Sequence, residues 1–303
     1  MSKFTALAAG LAAFAALSTS AFAGTDPAPF PAPSVGPLFI AGQTANTSGA
    51  MSSWFAPGST VVFRAYAVDT KTSKLIVAAN AKYFYVTIPN QPNVKLKYDP
   101  KAPGATARMP WSGTWKVPAN YTAGIVGFKI LAKSTAKRIG AFVQMPVATS
   151  QLTISSTAPV PFGNGPGAGA STAPADKTDI ALYVDSVNGT SPVGAAKRPI
   201  GCTQTNVFKR GEQVVMRIWG FDLKSGATLS TDNIDTATVT FPGVAAMNLN
   251  YGAHGATGNK VYFWSVPWIV PAAYPLGDAT VHVAFTTDSG KTGTFDYALT
   301  IVP

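Results

Sequence analysis

The sequence predicts an all-β protein that consists of two tandem antiparallel β-sandwich domains. Three observations support this fold class: a long internal repeat, apolar residues that alternate with period two, and turn-forming clusters such as "DTKTSK", "DPKAPG" and "TDSGK" at short intervals. No long stretch shows the 3.6-residue periodicity of a helix. Many short strands in copies of about 120 residues are typical of a sandwich.

The internal repeat covers most of the chain. "GSTVVFRAYAVD" from Gly58 matches "GEQVVMRIWGFD" from Gly211, and "WKVPANYTAG" from Trp115 matches "WIVPAAYPLG" from Trp268. Both pairs are offset by 153 positions, and the register holds without a gap to about Phe142. About six extra residues then follow in the first copy. The period is far too long for a solenoid, so the repeat indicates a duplicated domain.

Composition predicts the boundaries of the copies. The first copy occupies residues 36–155 and the second occupies 178–303. Between them, residues 156–177 are rich in Pro, Gly, Ala and Ser without apolar periodicity, which is typical of a linker. Residues 24–35 have a similar composition and are predicted to be a Pro-rich tail. Each copy is long enough to bury its own core, so we expect the copies to fold independently.

The first 23 residues have the pattern of a secretory signal peptide. Lys3 supplies the positive charge, Ala6–Leu17 is an apolar run, and Ala21-Phe22-Ala23 is a small-x-small cleavage site. The apolar run is too short to span a bilayer, and no later stretch is long enough to do so. The sequence therefore predicts an exported bacterial protein, periplasmic or extracellular, without a transmembrane segment.

Alternation of apolar residues predicts individual strands with one buried face. In the first copy Val126, Phe128 and Ile130 share a face, whereas Lys129 lies on the opposite one. The strand after Gly58 alternates in the same way. Each such strand is expected to have one face in a core and one in water.

The repeated motifs resemble those of known sandwich families. "W-x-V-P-x-x-Y-x-x-G", followed by an alternating strand and "G-x-F", resembles the later strands of bacterial immunoglobulin-like and fibronectin-type modules. "G-x-x-V-V-F-R-A-Y-A-V-D" is similar to the second strand of macroglobulin-type sandwiches. The resemblance implies immunoglobulin-like domains in tandem. Such modules serve mainly as spacers, adhesins and accessory binding domains.

Catalytic and metal-binding residues are scarce in the sequence. The chain has one cysteine (Cys202), one glutamate (Glu212) and two histidines: His254 in a glycine-rich loop and His282 on a strand. Their spacing matches no zinc, copper or nucleophile motif. Cys202 cannot form an internal disulfide, although it could pair two chains. We therefore expect no enzyme activity, no cofactor and no metal site.

Two further acidic residues recur at equivalent positions of the repeat. Asp69 and Asp222 each follow the repeated strand and are expected to form turns rather than to bind calcium.

A repeated pair of a cation and an aromatic residue is the first candidate for partner binding. Arg64 and Tyr66 lie on the strand face opposite the predicted core, and Arg217 and Trp219 repeat this arrangement. These side chains could anchor a partner, because Arg, Tyr and Trp are enriched at contacts. The alternative is internal stacking or packing between the domains.

Uneven charge is the second candidate. Residues 34–158 contain 13 basic and two acidic residues, whereas residues 175–303 contain nine basic and ten acidic residues. "LAKSTAKRIG" predicts a hairpin that exposes Lys133, Lys137 and Arg138 at a strand connection. This charge favours an anionic surface or another exported protein as a partner of the first domain, and the alternative is that it only makes the surface soluble. An exported chain without a nucleic-acid motif is not expected to bind DNA or RNA.

Together these features predict a secreted, non-catalytic protein with a binding, adhesion or spacer role at the cell surface. One alternative is an accessory subunit of an exported enzyme or redox complex. Another is a carbohydrate-binding protein that uses exposed Trp and Tyr side chains. The sequence leaves the oligomeric state open.

Overall fold

A computed structural model describes residues 37–99, 109–144, 147–157, 179–190, 198, 200–255 and 260–303. The predicted signal peptide and tail lie outside the described residues, as does the predicted linker from residue 158 onward. The described part is all-β, as the sequence predicts, with several antiparallel sheets and short 3-10 helices at Ala78–Asn80 and Ala148–Ser150. Within these residues, no helix has the length and apolar character needed to cross a membrane.

Among the described residues, twelve strands belong to the first copy. They are β1 (Leu38–Ala45), β2 (Trp54–Phe55), β3 (Thr60–Asp69), β4 (Lys74–Leu75), β5 (Ala81–Thr87), β6 (Val94–Lys95), β7 (Lys97–Tyr98), β8 (Trp111–Lys116), β9 (Gly124–Ile125), β10 (Lys129–Ser134), β11 (Ile139–Val143) and β12 (Thr153–Ile154). Sheet A has the order β1-β3-β8-β7, with β4 beside β3, and sheet B has the order β11-β10-β5-β6. A small third sheet joins β2, β12 and β9.

The described part of the second copy contains nine strands. They are β13 (Ile180–Asn188), β14 (Val207–Lys209), β15 (Gln213–Asp222), β16 (Ile234–Thr240), β17 (Met247–Asn248), β18 (Asn250–His254), β19 (Val261–Ile269), β20 (Gly277–Thr287) and β21 (Thr292–Val302). Sheet A′ has the order β13-β15-β19-β18, and sheet B′ has the order β14-β21-β20-β16-β17. All five sheets stay within one copy.

In each copy the two main sheets pack against each other. In the first copy Phe84 of sheet B stacks on Trp111 of sheet A, with ring centroids 4.7 Å apart. In the second copy Trp264 of sheet A′ contacts Phe285 of sheet B′ edge-on at 5.5 Å. Aromatic contacts of this kind add to the burial of apolar surface. The core of each copy therefore lies between its sheets.

The repeated W-x-V-P-x-x-Y-x-x-G phrase has the same local structure in both copies. Trp115 packs edge-on against Tyr121 at 5.2 Å, and Trp268 packs in the same way against Tyr274 at 4.9 Å. The glycine that ends the phrase has a left-handed backbone in both copies, with φ of 140° at Gly124 and 107° at Gly277. Glycine adopts this conformation at little steric cost, which explains why it recurs.

The extra residues of the first copy interrupt one strand. The single strand β21 corresponds to β11 and β12 together, and the segment between β11 and β12 contains the 3-10 helix Ala148–Ser150. From this segment, the Oγ atoms of Thr149 and Ser150 donate hydrogen bonds to the carbonyl oxygen of Cys202 in the second copy, at 3.3 and 2.6 Å. The insertion thus builds part of the contact between the copies.

Buried side chains also join the two copies. The rings of Phe39 and Phe221 lie 5.6 Å apart, and those of Phe142 and Tyr183 lie 5.7 Å apart. Strands β1 and β13 are buried along their whole lengths. One continuous hydrophobic cluster therefore runs through both copies. Independent folding of the copies stays a prediction, although separating them would expose this shared buried surface.

Candidate binding surfaces

The two repeated pairs of a cation and an aromatic residue are buried, and one member of each pair bonds to the other copy. Arg64 and Tyr66 are 9% and 4% exposed, and Arg217 and Trp219 are each 2% exposed. The Tyr66 hydroxyl donates a hydrogen bond to the carbonyl oxygen of Leu182 in the second copy. The expectation that these strands turn one face to water is therefore wrong for β3 and β15, because the junction covers their second face.

The burial of these four residues favours the packing alternative over contact with an outside partner. Arg217 lies 5.6 Å from the Trp219 ring centroid and 5.8 Å from that of Phe263, so it makes cation–π contacts inside the protein. For any of the four to anchor a protein or polymer partner, the two copies would have to separate.

Arg217 is also the centre of a buried polar cluster. Its Nε and Nη2 atoms donate to the two carboxylate oxygens of Asp185 at 2.7 and 2.6 Å. Its Nη1 atom donates to the Ser150 Oγ atom of the first copy at 2.9 Å. Burial has the largest single effect on the pKa of Arg217 and lowers it. The charge of Asp185 and the hydrogen bonds to it, with smaller contributions from Tyr183 and Cys202, together raise the net pKa above the ordinary value. Burial, reinforced by the Asp185 charge, raises the pKa of the nearby Tyr183.

The second candidate, the hairpin of the first copy, forms as predicted between β10 and β11. Lys137 lies exposed in its turn with φ of 64°, and Lys133 is half-buried on β10. Arg138 forms an ion pair with Asp69. The equivalent residues of the second copy, Lys291 and Asp222, form an ion pair too. Arg138 therefore has a structural role that recurs in the second copy. Of the three basic residues predicted to bind a partner, Lys133 and Lys137 remain as candidates.

Asp69 and Asp222 occupy turns, as the sequence suggests. The Asp69 Oδ1 atom accepts hydrogen bonds from the backbone N–H groups of Lys71 and Thr72 at 3.0 and 3.1 Å. Asp222 accepts from Lys224 and Ser225 in the same way. Among the described residues, no group of three or more His, Cys, Asp or Glu side chains is placed to hold a metal ion.

A broader surface, which sequence reasoning did not identify, is the outward face of sheet B. Strand pairing places ten residues on it, none of them acidic: Tyr83, Tyr85, Thr87, Lys95, Lys129, Leu131, Lys133, Ile139, Ala141 and Val143. We call this set the sheet B face. The rings of Tyr83 and Tyr85 lie 5.2 Å apart, and Ile139 and Val143 are 46% and 49% exposed. The face thus combines half-buried tyrosines, lysines and exposed apolar side chains.

The equivalent face of sheet B′ has a different chemistry. The corresponding ten positions hold Thr236, Thr238, Thr240, Asn248, His282, Ala284, Thr286, Thr292, Thr294 and Asp296. The Nδ1 atom of His282 lies 2.6 Å from the Oδ1 atom of Asp296, so even the ionisable groups on this face are paired with each other. Aligning the two copies residue by residue along alternating strands would have revealed this contrast in the sequence.

An open cleft of about 660 Å³ lies beside the sheet B face. Lys95, Lys97 and Lys116 line it together with the hydroxyl-bearing residues Ser112 and Thr114. Lys95 pairs with Tyr85 across β5 and β6, and so it connects the cleft with the sheet B face. The repeat places Asn248, Asn250 and Ile269 at the positions of the three lysines in the second copy. The cleft is therefore basic in the first copy only.

The two histidines lie in different environments. His254, which the sequence placed in a glycine-rich loop, is instead the last residue of β18 and stacks on Phe263 at 4.0 Å. Its Nε2 atom lies 3.3 Å from the Ser265 Oγ atom. Burial and the positive charge of Arg217 lower the pKa of His254. The described hydrogen bonds of His254 include none to a carboxylate, which a Ser–His–Asp triad requires.

No protein-family model matches the chain, and no curated protein matches it either. Among solved structures, it is similar to SGBP-B of the Bacteroides ovatus mixed-linkage glucan utilization locus, determined with a mixed-linkage heptasaccharide, at 10% identity and a TM-score of 0.18. That alignment covers 82% of this chain and 43% of the other.

Two further solved structures have comparable values. Dimeric latent PorU from Porphyromonas gingivalis is 11% identical, with a TM-score of 0.23 and coverage of 87% and 24%. A structure described as BspA_C_WT is 9% identical, with a TM-score of 0.19 and coverage of 86% and 99%. The chain thus spans less than half of the length of the first two. At such TM-scores none of these similarities bears on its function.

Proposed function

We propose that this protein is an exported, non-catalytic binding protein whose two copies are tandem immunoglobulin-like sandwich domains. Its first domain binds an acidic polysaccharide at the cell surface, and its second domain acts as a structural support. One observation carries the proposal: the sheet B face has tyrosines and lysines at positions where the second copy has threonines, His282 and Asn248.

The chemistry of the sheet B face suits an acidic polysaccharide. Tyrosine rings provide apolar surfaces with a polar hydroxyl at one end, so they can pack against sugar rings. Lys133 pairs with Tyr83, and Lys129 lies on the same face opposite Thr87. Lys95, which pairs with Tyr85, extends the positive charge into the basic cleft. Lysines placed in this way can pair with the carboxylate or sulfate groups of a polymer. Three lysines without an acidic neighbour on the same face support an anionic partner over a neutral one.

The test compares the complete mature chain with a variant that carries residues of the second copy. Lys95→Asn, Lys129→His and Lys133→Thr together convert the three basic positions into those of sheet B′. We expect the unchanged protein to bind polyglucuronate at low salt, and we expect the variant to lose at least about tenfold in affinity. Exposed charges are screened over about 8 Å at physiological salt, so binding should weaken as salt is added.

A matched control removes the same charge from other surfaces. Lys71, Lys74 and Lys224 are exposed and lie outside the sheet B face. Replacing all three by serine should leave polyglucuronate binding nearly unchanged. Equal losses in the two variants would mean that only net charge matters. Stronger binding to phosphatidylglycerol vesicles than to polyglucuronate would instead indicate a lipid surface as the partner.

The tyrosine pair also supports a second candidate, a neutral carbohydrate ligand. The tilted rings of Tyr83 and Tyr85 could pack against a neutral sugar without help from the lysines. Binding to a neutral glycan would then persist at high salt and in the lysine variant. It would be lost when both tyrosines are changed to threonine.

A further inference from the structure

Arg64 and Arg217 occupy equivalent positions in the two copies. Each lies on the second strand of its main sheet and pairs with a residue on the first strand: Arg64 with Gln43, and Arg217 with Asp185. Both arginines are buried. The same guanidinium position therefore faces a neutral amide in one copy and a carboxylate in the other.

In the second copy all edges of the guanidinium group are paired. Asp185, which is fully buried, accepts from Nε and Nη2 in the two-pronged geometry that arginine and carboxylate groups favour. Nη1 donates to Ser150 Oγ, which in turn donates to the carbonyl oxygen of Cys202. Arg217 is thereby linked both to a counter-charge and to the loop that holds Cys202.

The first copy reproduces only half of this arrangement. Gly49 is the repeat equivalent of Cys202, and both have left-handed backbones, with φ of 92° and 57°. Arg64 Nη1 donates directly to the carbonyl oxygen of Gly49 at 3.2 Å. Among the described residues, Gly49 is the one that accepts a hydrogen bond from the Arg64 side chain. Its Nε and Nη2 atoms, which correspond to those that hold Asp185 in the second copy, bond to none of the described side chains.

Gln43 does not replace the missing carboxylate. It is 6% exposed, and its amide makes no hydrogen bond to another described residue. Burial without a counter-charge lowers the pKa of Arg64 to about 10, so the group is still charged at neutral pH. A buried charge that lacks a partner is costly, and a carboxylate that reached it would gain both attraction and two hydrogen bonds.

We propose that the Nε and Nη2 edge of Arg64 binds the carboxylate group of a small anionic ligand, in the position that Asp185 takes against Arg217. Arg64 is 9% exposed and its unpaired Nε and Nη2 edge is not fully buried, so a ligand can reach it. Because most of the side chain is buried, we expect the site to admit a carboxylate at the end of a small molecule or side chain rather than the middle of a polymer. It is independent of the sheet B face and of the proposed function.

The test uses thermal unfolding of the complete mature chain. Sodium acetate is compared with sodium chloride at equal ionic strength, which separates specific binding from screening. At acetate concentrations about ten times the dissociation constant, we expect Tm to rise by roughly 3 °C above its value in chloride. Glucuronate and N-acetyl-aspartate amide serve as further arms, and they distinguish a sugar carboxylate from a protein side chain as the natural source.

Two variants decide the outcome. Gln43→Asp supplies an internal carboxylate, so it should raise Tm in chloride and abolish the additional rise in acetate. Arg64→Lys keeps the charge but lacks the forked geometry, and it should lose most of the acetate effect. If Gln43→Asp does not fold, broadening of the acetate NMR signal by the unchanged protein, and its loss with Arg64→Lys, gives the same answer. Equal Tm values in acetate and chloride would overturn the proposal.

Discussion

In the cores of the two copies, a change of residue size at one position is compensated by the opposite change at its partner. On the outward faces of the sheets, the differences between the copies are not compensated in this way. In the first copy Phe84 pairs with Ala132 across β5 and β10. In the second copy Ala237 occupies the equivalent position and pairs with Phe285. The large and small residues have exchanged strands, and in both copies the phenylalanine contacts the equivalent tryptophan, Trp111 or Trp264. Close packing constrains the total core volume, so one change requires the other.

The outward faces of sheets B and B′ are not subject to this constraint. In the first copy Tyr83 pairs with Lys133, and Tyr85 pairs with Leu131. In the second copy threonines, Thr236 and Thr238, replace the two tyrosines. None of the ten equivalent positions on sheet B′ holds a tyrosine, a lysine or an arginine. A pattern that changes without a packing reason is therefore more informative about binding than the repeated core motifs are.

The largest effect is expected from breaking the compensated core pair. Phe84→Ala should lower the free energy of unfolding by about 4 kcal/mol, because it removes a buried ring and leaves a cavity beside Trp111. The double variant Phe84→Ala with Ala132→Phe recreates the arrangement of the second copy and should recover at least half of the loss. Urea unfolding measures both. A double variant that is no more stable than Phe84→Ala would show that the copies pack their cores differently.

The junction should show the next largest effect. Asp185→Asn leaves the buried Arg217 without a counter-charge, so we expect a loss of about 3 kcal/mol in the free energy of unfolding. The matched change in the first copy, Gln43→Ala, breaks no hydrogen bond to a described residue and should cost less than about 1 kcal/mol. Similar losses for the two changes would contradict the contrast between Arg64 and Arg217.

The fold class and the local role of the repeated phrase could be predicted from sequence, because alternation and turn chemistry act over a few residues. The hairpin at Lys137 follows for the same reason. The burial of Arg64 and Arg217 could not, because the pattern of β3 is the same whether its second face meets water or the other copy. The partner of Arg217 lies partly in the insertion at Ser150, which has no equivalent in the repeat.

The sheet B face was missed for a different reason. Its residues come from β5, β6, β10 and β11, and strand register is needed to bring them together. Sequence reasoning found Lys133 and Lys137 through their proximity in the chain. It did not connect Lys133 with Tyr83, which lies 50 positions away and pairs with it across the sheet.

The smallest expected effect is a dependence of the free energy of unfolding on pH. It too distinguishes the copies, because the repeat equivalent of His254 in the first copy is Lys101 rather than a histidine. Burial and the Arg217 charge lower the pKa of His254 in the folded state below the ordinary value near 6.5. As pH falls through that value, the unfolded chain takes up a proton before the folded one does. The free energy of unfolding should therefore decrease from about pH 7.5 to 5.5.

His254→Gln should flatten this decrease, since glutamine does not titrate, and urea unfolding at a series of pH values measures the slope. The chain's other histidine provides the control: introducing His254→Gln into a His282→Gln background should change the slope by the same amount. If the slope is unaffected by His254→Gln in both backgrounds, neither burial nor the charge of Arg217 lowers the pKa of His254 in the folded protein, and the pH dependence arises from other groups.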